Sequence, residues 1–305
     1  MTTSSSIVEQ RSAPPARPLW RKVWEFPLIA MAAALALVAV ALAAVPYSLA
    51  WADPEALDPL VRETVPGLLA VALVFLVTKF AISRLGRFPR DDLPLGAAPA
   101  HLVAGLGLGF AIFALAVAIA ALAGVYRITG WGTLQGWVGF FMAAGVVAGF
   151  VEEVIFRGII FRWIEELAGS WAALGVSAAL FGLAHIANDN ATVFSSIAIA
   201  IEAGVLLGAA YMLTRSLWLA IGIHAGWNLT QGLIFDVSVS GNAVDGIVEA
   251  ELTGPAWLSG GAFGLEASVI ALVVATGAGL IMLRMAARRG QITPPMWSRS
   301  RGGQD

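Results

Sequence analysis

The sequence predicts an all-α, polytopic membrane protein with about eight transmembrane helices. Of its 305 residues, 59% are hydrophobic and only 12% are charged. Soluble globular chains have about 45–50% apolar and about 25% charged residues. The mean hydropathy is +0.82. The apolar residues also form runs of about 20, which is the length that a helix needs to cross the hydrocarbon core of a bilayer.

Eight apolar runs are candidate transmembrane helices. Their approximate limits are residues 27–50, 65–83, 101–125, 134–160, 170–188, 193–213, 216–235 and 262–284. The polar, proline-containing residues 1–25 are predicted to form a disordered cytoplasmic tail. We expect residues 26–285 to form a single transmembrane domain, with a motif-bearing core at about 130–240, and residues 286–305 to form a cytoplasmic C-terminal tail.

The charges between these runs predict the orientation of the chain. Arginine and lysine gather before the first run and after the second, fourth, sixth and eighth, while the alternate loops are mostly acidic. Only Arg62 and Arg127 depart from this pattern. Because basic loops stay on the cytoplasmic side, both termini are predicted to be cytoplasmic, and the expected location is a bacterial inner membrane.

Composition also excludes several function classes. The formal net charge of -2 gives no indication of a nucleic-acid partner. The chain has no cysteine, which excludes disulfides, thiolate metal sites and a cysteine nucleophile.

A few polar and ionisable side chains lie inside the apolar runs and form three short motifs. Such side chains at membrane depth are costly, so each is a functional hypothesis by default. With one aromatic neighbour, the set is Glu152, Glu153, Arg157, Phe181, His185, His224 and Asn228.

Helix periodicity separates the roles of these side chains. Adjacent residues point about 100° apart, so Glu152 and Glu153 cannot both face one site. Glu153 and Arg157 are four apart, in the order that favours an ion pair. That pair leaves Glu152 free to face a cavity. His224 and Asn228 are also four apart and can point at one centre.

One carboxylate, two imidazoles and one carboxamide on three helices indicate hydrolysis by an activated water. A carboxylate in a dry pocket gains basicity and can take a proton from water. Histidine can hold that water or protonate a leaving amine, and Asn and His donors can stabilise an oxyanion. Glu152, His185 and His224 are also a known type of ligand set for a catalytic zinc. Both the metal-free and the zinc-dependent reaction fit these residues.

The motifs Glu-Glu-x-x-x-Arg, Phe-x-x-x-His and His-x-x-x-Asn, in this order on successive apolar runs, resemble the CAAX-protease and bacteriocin-processing (CPBP, also called ABI) family of intramembrane peptidases. The resemblance covers about residues 130–240. It implies an eight-helix-type core and endopeptidase activity. It also implies that Glu152 is the general base, that His185 helps to position water, and that His224 and Asn228 support the oxyanion.

The resemblance leaves the cofactor and the substrate open. The family has been described both as metal-dependent and as a metal-free glutamate peptidase. We favour the metal-free form without a cofactor, and the alternative is a zinc ion held by Glu152, His185 and His224. The expected partners are the lipid bilayer and a membrane-associated peptide or protein substrate. No residue marks a prenyl-binding site, so cleavage of prenylated CAAX tails is not carried over.

Two other classes of function use the same residues. A proton-coupled transporter would use the buried Glu and His residues as a proton relay, but the inverted repeats and matching broken helices of such carriers are not found. A non-catalytic scaffold would bind other membrane proteins through glycine-rich faces, such as the one with Gly222 and Gly226.

Glu153 and Arg157 are better explained as a structural pair than as catalytic residues. Glu202, in the sixth run, belongs to no motif.

The positions of the histidines set a geometric condition. At 1.5 Å per residue, His185 lies about 22 Å along the fifth run, whereas His224 lies about 12 Å along the seventh. The helices must therefore be staggered or broken for the two imidazoles to meet.

Overall fold

The computed structural model describes residues 18–50, 53 and 56–299. It is 73% helical with almost no sheet, which confirms the predicted all-α class. Of the two predicted tails, residues 1–17 and 300–305 lie outside the described residues.

Within the described ranges, six helices are long and apolar enough to cross a membrane. They are Pro27–Leu49, Pro59–Arg84, Leu95–Leu122, Trp137–Ala187, Val193–Thr214 and Val269–Arg288. The chain is therefore an integral, multi-pass membrane protein. The count of eight crossings and the cytoplasmic placement of both termini stay predictions.

Three kinds of helix make up these segments. The α-helices are Leu19–Trp24, Pro27–Leu49, Pro59–Phe80, Ala98–Leu122, Trp137–Phe140, Gly149–Glu153, Arg162–Ala184, Val193–Thr214, Leu217–Leu229, Ala256–Ser259 and Val269–Arg288. Wider π-helical turns occupy Phe141–Ala148, Val154–Phe161 and Thr230–Ile234. Tighter 3₁₀ turns occupy Ile82–Arg84, Leu95–Ala97, His185–Ala187, Gly261–Phe263 and Leu265–Ala267.

Within the longest of these segments, Trp137–Ala187, the fourth and fifth apolar runs form two helices that follow one another without an intervening loop. The break is at Gly169, whose backbone has φ 84° and ψ 169°. Only glycine adopts such a conformation readily. A Cβ atom at Gly169 would also lie 2.8 Å from the Thr293 carbonyl oxygen. The segment that follows the C-terminal helix packs against this break, and Ser170 N–H donates to the Thr293 oxygen at 2.9 Å.

Small residues bring the helix Leu217–Leu229, called the His224 helix below, close to its neighbours. A Cβ atom at Gly226 would lie 2.5 Å from the Leu106 carbonyl oxygen, and one at Gly105 would lie 2.7 Å from the Gly222 Cα. Helix backbones approach this closely in lipid only where side chains are absent. Gly222 and Gly226 are four positions apart, and two further pairs of glycines have the same spacing. Gly145 packs closely against Leu229, and Gly149 against Ala225. Gly204 packs against Ala178, and Gly208 against Leu174.

Two short strands outside the membrane spans were not predicted from the sequence. β1 (Tyr126–Trp131) pairs antiparallel with β2 (Val248–Leu252). The Tyr126 hydroxyl donates to the Phe235 carbonyl oxygen at 3.0 Å, and burial raises the pKa of Tyr126 to about 12. The sheet thereby ties β2, which follows the His224 helix in the chain, to β1.

Candidate active site

Glu152 and Glu153 lie in a single α-helical turn, Gly149–Glu153, between two π-helical segments. Such wide turns are often found at functional sites, because they redirect neighbouring side chains. As the helical period requires, the two carboxylates face different surroundings. The Glu153 side chain is completely buried, whereas 32% of the Glu152 side chain is exposed. The Glu152 carboxylate is therefore the one that a substrate can reach.

The ion pair expected between Glu153 and Arg157 is present and fully buried. Arg157 donates to Glu153 Oε1 at 2.8 Å, and neither side chain has any exposed surface. Arg157 also donates to the Ala203 carbonyl oxygen at 3.1 Å. Its guanidinium lies 4.5 Å from the ring centroid of Phe181. Arg157 thus links three helical segments around the site.

His224 lies between the two carboxylates. Its Nδ1 is 3.0 Å from Glu153 Oε1, and its Nε2 is 4.0 Å from Glu152 Oε2. Because a carboxylate accepts hydrogen bonds, the Nδ1–H is the donor to Glu153. In neutral His224 this leaves the Nε2 lone pair facing Glu152. The contact between Glu153 and His224 was not predicted from the sequence, since 71 positions separate the two residues.

His185 directly follows the α-helix Arg162–Ala184. The α-helix ends at Ala184, and His185 begins a 3₁₀ turn. Its Nδ1–H donates to the Phe181 carbonyl oxygen at 2.8 Å, which leaves Nε2 available. The Phe181 ring lies 4.6 Å from the His185 ring and 6.0 Å from the His224 ring, centroid to centroid. The two imidazoles therefore meet around one phenyl ring, as the geometric condition required.

Asn228 follows His224 by one helical turn, and both line the same cavity. Its amide donates to the Ala144 carbonyl oxygen at 3.0 Å, on the π-helical segment before Glu152. One of its two N–H groups is thereby used between helices. The second N–H is the one that can serve as a donor to a bound substrate.

A cavity adjoins these residues. His185, His224 and Asn228 line it, and so do Glu202 and Glu266. Glu202 belongs to no sequence motif, and Glu266 was not among the predicted site residues. The signal for Glu266 was a carboxylate inside the apolar run 262–284, the same signal that drew attention to Glu202. Burial raises the pKa of Glu266 to about 7.

The fit of a metal ion can be judged from the donor atoms. Both histidines donate through Nδ1 to fixed oxygens and leave Nε2 available, as zinc-binding histidines commonly do. Across residues 18–50, 53 and 56–299, however, no group of three or more His, Asp or Glu side chains converges closely enough to hold a metal ion. We therefore derive no reaction step through a metal.

Comparison with known proteins agrees with the motifs. Residues 133–230 match the family model for Rce1-like proteins, described as type II CAAX prenyl endopeptidase Rce1-like. The matched segment contains all seven motif residues predicted from the sequence. The resemblance to the CPBP, or CAAX protease, family is thereby confirmed. No curated protein matches the chain, and no solved structure does.

Proposed function

We propose that this chain, which carries a CAAX-protease-family domain at residues 133–230, is an intramembrane endopeptidase in which Glu152 activates water. One observation carries the proposal. The partly exposed Glu152 side chain faces His224 Nε2 at 4.0 Å, while Glu153 accepts a hydrogen bond from the other ring nitrogen. One water molecule can hydrogen-bond to both Glu152 and His224 across this gap.

The proposed reaction begins when Glu152 removes a proton from that water. The water oxygen forms a bond to the carbonyl carbon of the substrate, and the carbonyl oxygen takes the negative charge. In its protonated form His224 donates through Nε2–H, and this N–H and the second N–H of Asn228 stabilise the oxyanion. His185 Nε2 helps to position the water. When the carbon–nitrogen bond breaks, the proton held by Glu152 passes to the leaving amine. The products are one carboxylate and one amine.

Glu153 and Arg157 are assigned positioning roles. Arg157 neutralises Glu153, and Glu153 fixes the ring orientation and the tautomer of His224. Neither side chain is exposed to a substrate. Their removal should therefore act on catalysis through His224.

The family implies a peptide or protein substrate in a membrane. We place the chain in a bacterial inner membrane with both termini in the cytoplasm, in line with its loop charges.

The test is cleavage of a whole-proteome peptide library by the purified protein in detergent. The wild type is compared with Glu152→Gln, which keeps size and hydrogen bonding but removes the base. Glu249→Gln, on the exposed strand β2, is the matched control with the same charge change. We expect the wild type and Glu249→Gln to cleave the same peptides and Glu152→Gln to cleave none, with or without a chelator. Equal cleavage by Glu152→Gln contradicts the proposal, and loss of wild-type cleavage with chelator replaces it by a metal-dependent reaction.

A further inference from the structure

Two carboxylates line the candidate cavity beyond the motif residues. Glu202 lies on the helix Val193–Thr214 and is 2% exposed, and Glu266 lies in the 3₁₀ turn Leu265–Ala267 and is 5% exposed. Both share the cavity with His185 and His224. The proposed reaction uses neither of them.

Neither carboxylate has a basic partner. Throughout the part of the chain that the structure describes, no Lys or Arg side chain forms an ion pair with Glu202 or Glu266. Glu202 Oε2 is buried and has no hydrogen-bond partner. Glu266 accepts a hydrogen bond from the Ser240 backbone N–H. The nearby Arg157 is directed to Glu153 and to a backbone carbonyl instead.

The nearby ionisable groups act differently on the two carboxylates. Glu266 repels Glu202, whereas His224 attracts Glu266. Removing an unpaired carboxylate from water is costly unless a cation, several donors or protonation compensates it. Two carboxylates that line one cavity can be stabilised in their charged form by a positive charge that a substrate brings.

The walls of the cavity suit a long basic side chain. Besides the carboxylates and the imidazoles, the lining includes apolar side chains, among them Ile199, Leu206, Leu207 and Ile223. Lysine and arginine bury their methylene stems against such walls and place the charged head on carboxylates.

We propose that Glu202 and Glu266 form an acidic subsite that binds a lysine or arginine side chain of the substrate close to the scissile bond. This inference rests on the proposed function, since it names the substrate class of the same cavity. The enzyme is then selective for peptides with a basic residue next to the cleaved bond.

The cleavage test uses N-acetylated peptides that differ at one position, scanned on both sides of the scissile bond. Lysine, arginine, norleucine and glutamate are compared for the wild type, Glu202→Gln, Glu266→Gln, the double variant and the control Glu249→Gln. We expect the wild type and Glu249→Gln to favour lysine over norleucine by about 10- to 100-fold in kcat/KM, as a charge-assisted contact provides. The double variant should reduce this ratio to about 1. A ratio near 1 in the wild type, or an unchanged ratio in the double variant, overturns the subsite.

A binding measurement separates this inference from the proposed function. Glu152→Gln protein is titrated with the lysine and the norleucine peptide, and then Glu152→Gln combined with Glu202→Gln and Glu266→Gln is titrated with the same pair. One outcome is that the wild type cleaves no peptide, while Glu152→Gln binds the lysine peptide about 10-fold more tightly than the norleucine peptide. If the triple variant loses this preference, the subsite stands and the proposed activity fails. Equal affinity for both peptides overturns the subsite whatever the activity. Thermal unfolding shows whether the variants are folded. If Glu202→Gln is less stable than Glu249→Gln, the claim that the Glu202 carboxylate is unpaired in the absence of a ligand is wrong.

Discussion

Replacing Arg157 by methionine tests whether the buried ion pair organises the site. The substitution removes the bond of 2.8 Å to Glu153 and leaves that carboxylate with no exposed surface. Loss of one partner of a buried pair costs about 3–5 kcal/mol. The His224 Nδ1–H still donates to Glu153 at 3.0 Å, so we expect a loss near the lower limit, about 3 kcal/mol.

The assay is equilibrium unfolding in mixed detergent, with Asp91→Asn as control. Asp91 pairs with Lys79 at 2.6 Å, but 43% of its side chain is exposed. Breaking that pair should cost about 0–1 kcal/mol. If Arg157→Met lowers the unfolding free energy by no more than Asp91→Asn does, the energetic argument for the buried pair is wrong.

A double variant separates stability from catalysis. Glu153→Leu combined with Arg157→Met removes both buried charges and should recover most of the lost stability, because apolar pairs often replace buried ion pairs without cost. Peptide cleavage should stay low, since His224 then has no acceptor for its Nδ1–H. Full recovery of kcat in the double variant contradicts the positioning role of Glu153.

Three further predictions concern packing, protonation and the oxyanion. Gly105→Ala should lower the unfolding free energy by at least about 1–3 kcal/mol, because the new Cβ would lie 2.6 Å from the Leu219 carbonyl oxygen. The control is Gly107→Ala on the same helix, where the new Cβ meets nothing within 4 Å. This variant should be neutral or stabilising in the same unfolding assay. The folded-state pKa of Glu266 is raised from 4.5 to about 7, so the folded state binds more protons in this window and its stability should fall, by on the order of 3 kcal/mol, as the pH rises from about 4.5 to about 7. In Glu266→Gln this part of the pH dependence should be absent from unfolding curves, and an unchanged curve contradicts it. Asn228→Ala should lower kcat about 100- to 1000-fold if its free N–H supports the oxyanion, while an unchanged kcat with a small loss of stability would mean that the side chain only joins two helices.

The most accurate predictions about the site came from the helical period. The Glu153–Arg157 pair and the separate direction of Glu152 follow from the helical period alone, and the structure has both. The approach of His224 to Glu153 depends on how two helices pack, and no single-helix pattern contains that information. The same limit applies to the contact of Asn228 with Ala144.

Hydropathy was less informative where the chain leaves regular helix. Hydropathy predicts one span over 262–284, but the helix begins at Val269, and the residues before it form 3₁₀ turns that present Glu266 to the cavity. The break at Gly169 was expected as a loop, because apolar runs show where helices are interrupted but not how sharply. The paired residues Trp131 and Val248 of β1 and β2 are 117 positions apart, so their pairing depends on tertiary contacts.

The central claim is most directly tested by product analysis in ¹⁸O-labelled water. A peptide cleaved by the wild type should gain one ¹⁸O atom in its new carboxylate, and Glu152→Gln should form this product about 100- to 10,000-fold more slowly, the usual contribution of a general base. Glu249→Gln should match the wild type. Formation of the labelled product by Glu152→Gln at the wild-type rate would contradict the assignment of Glu152 as the residue that activates water.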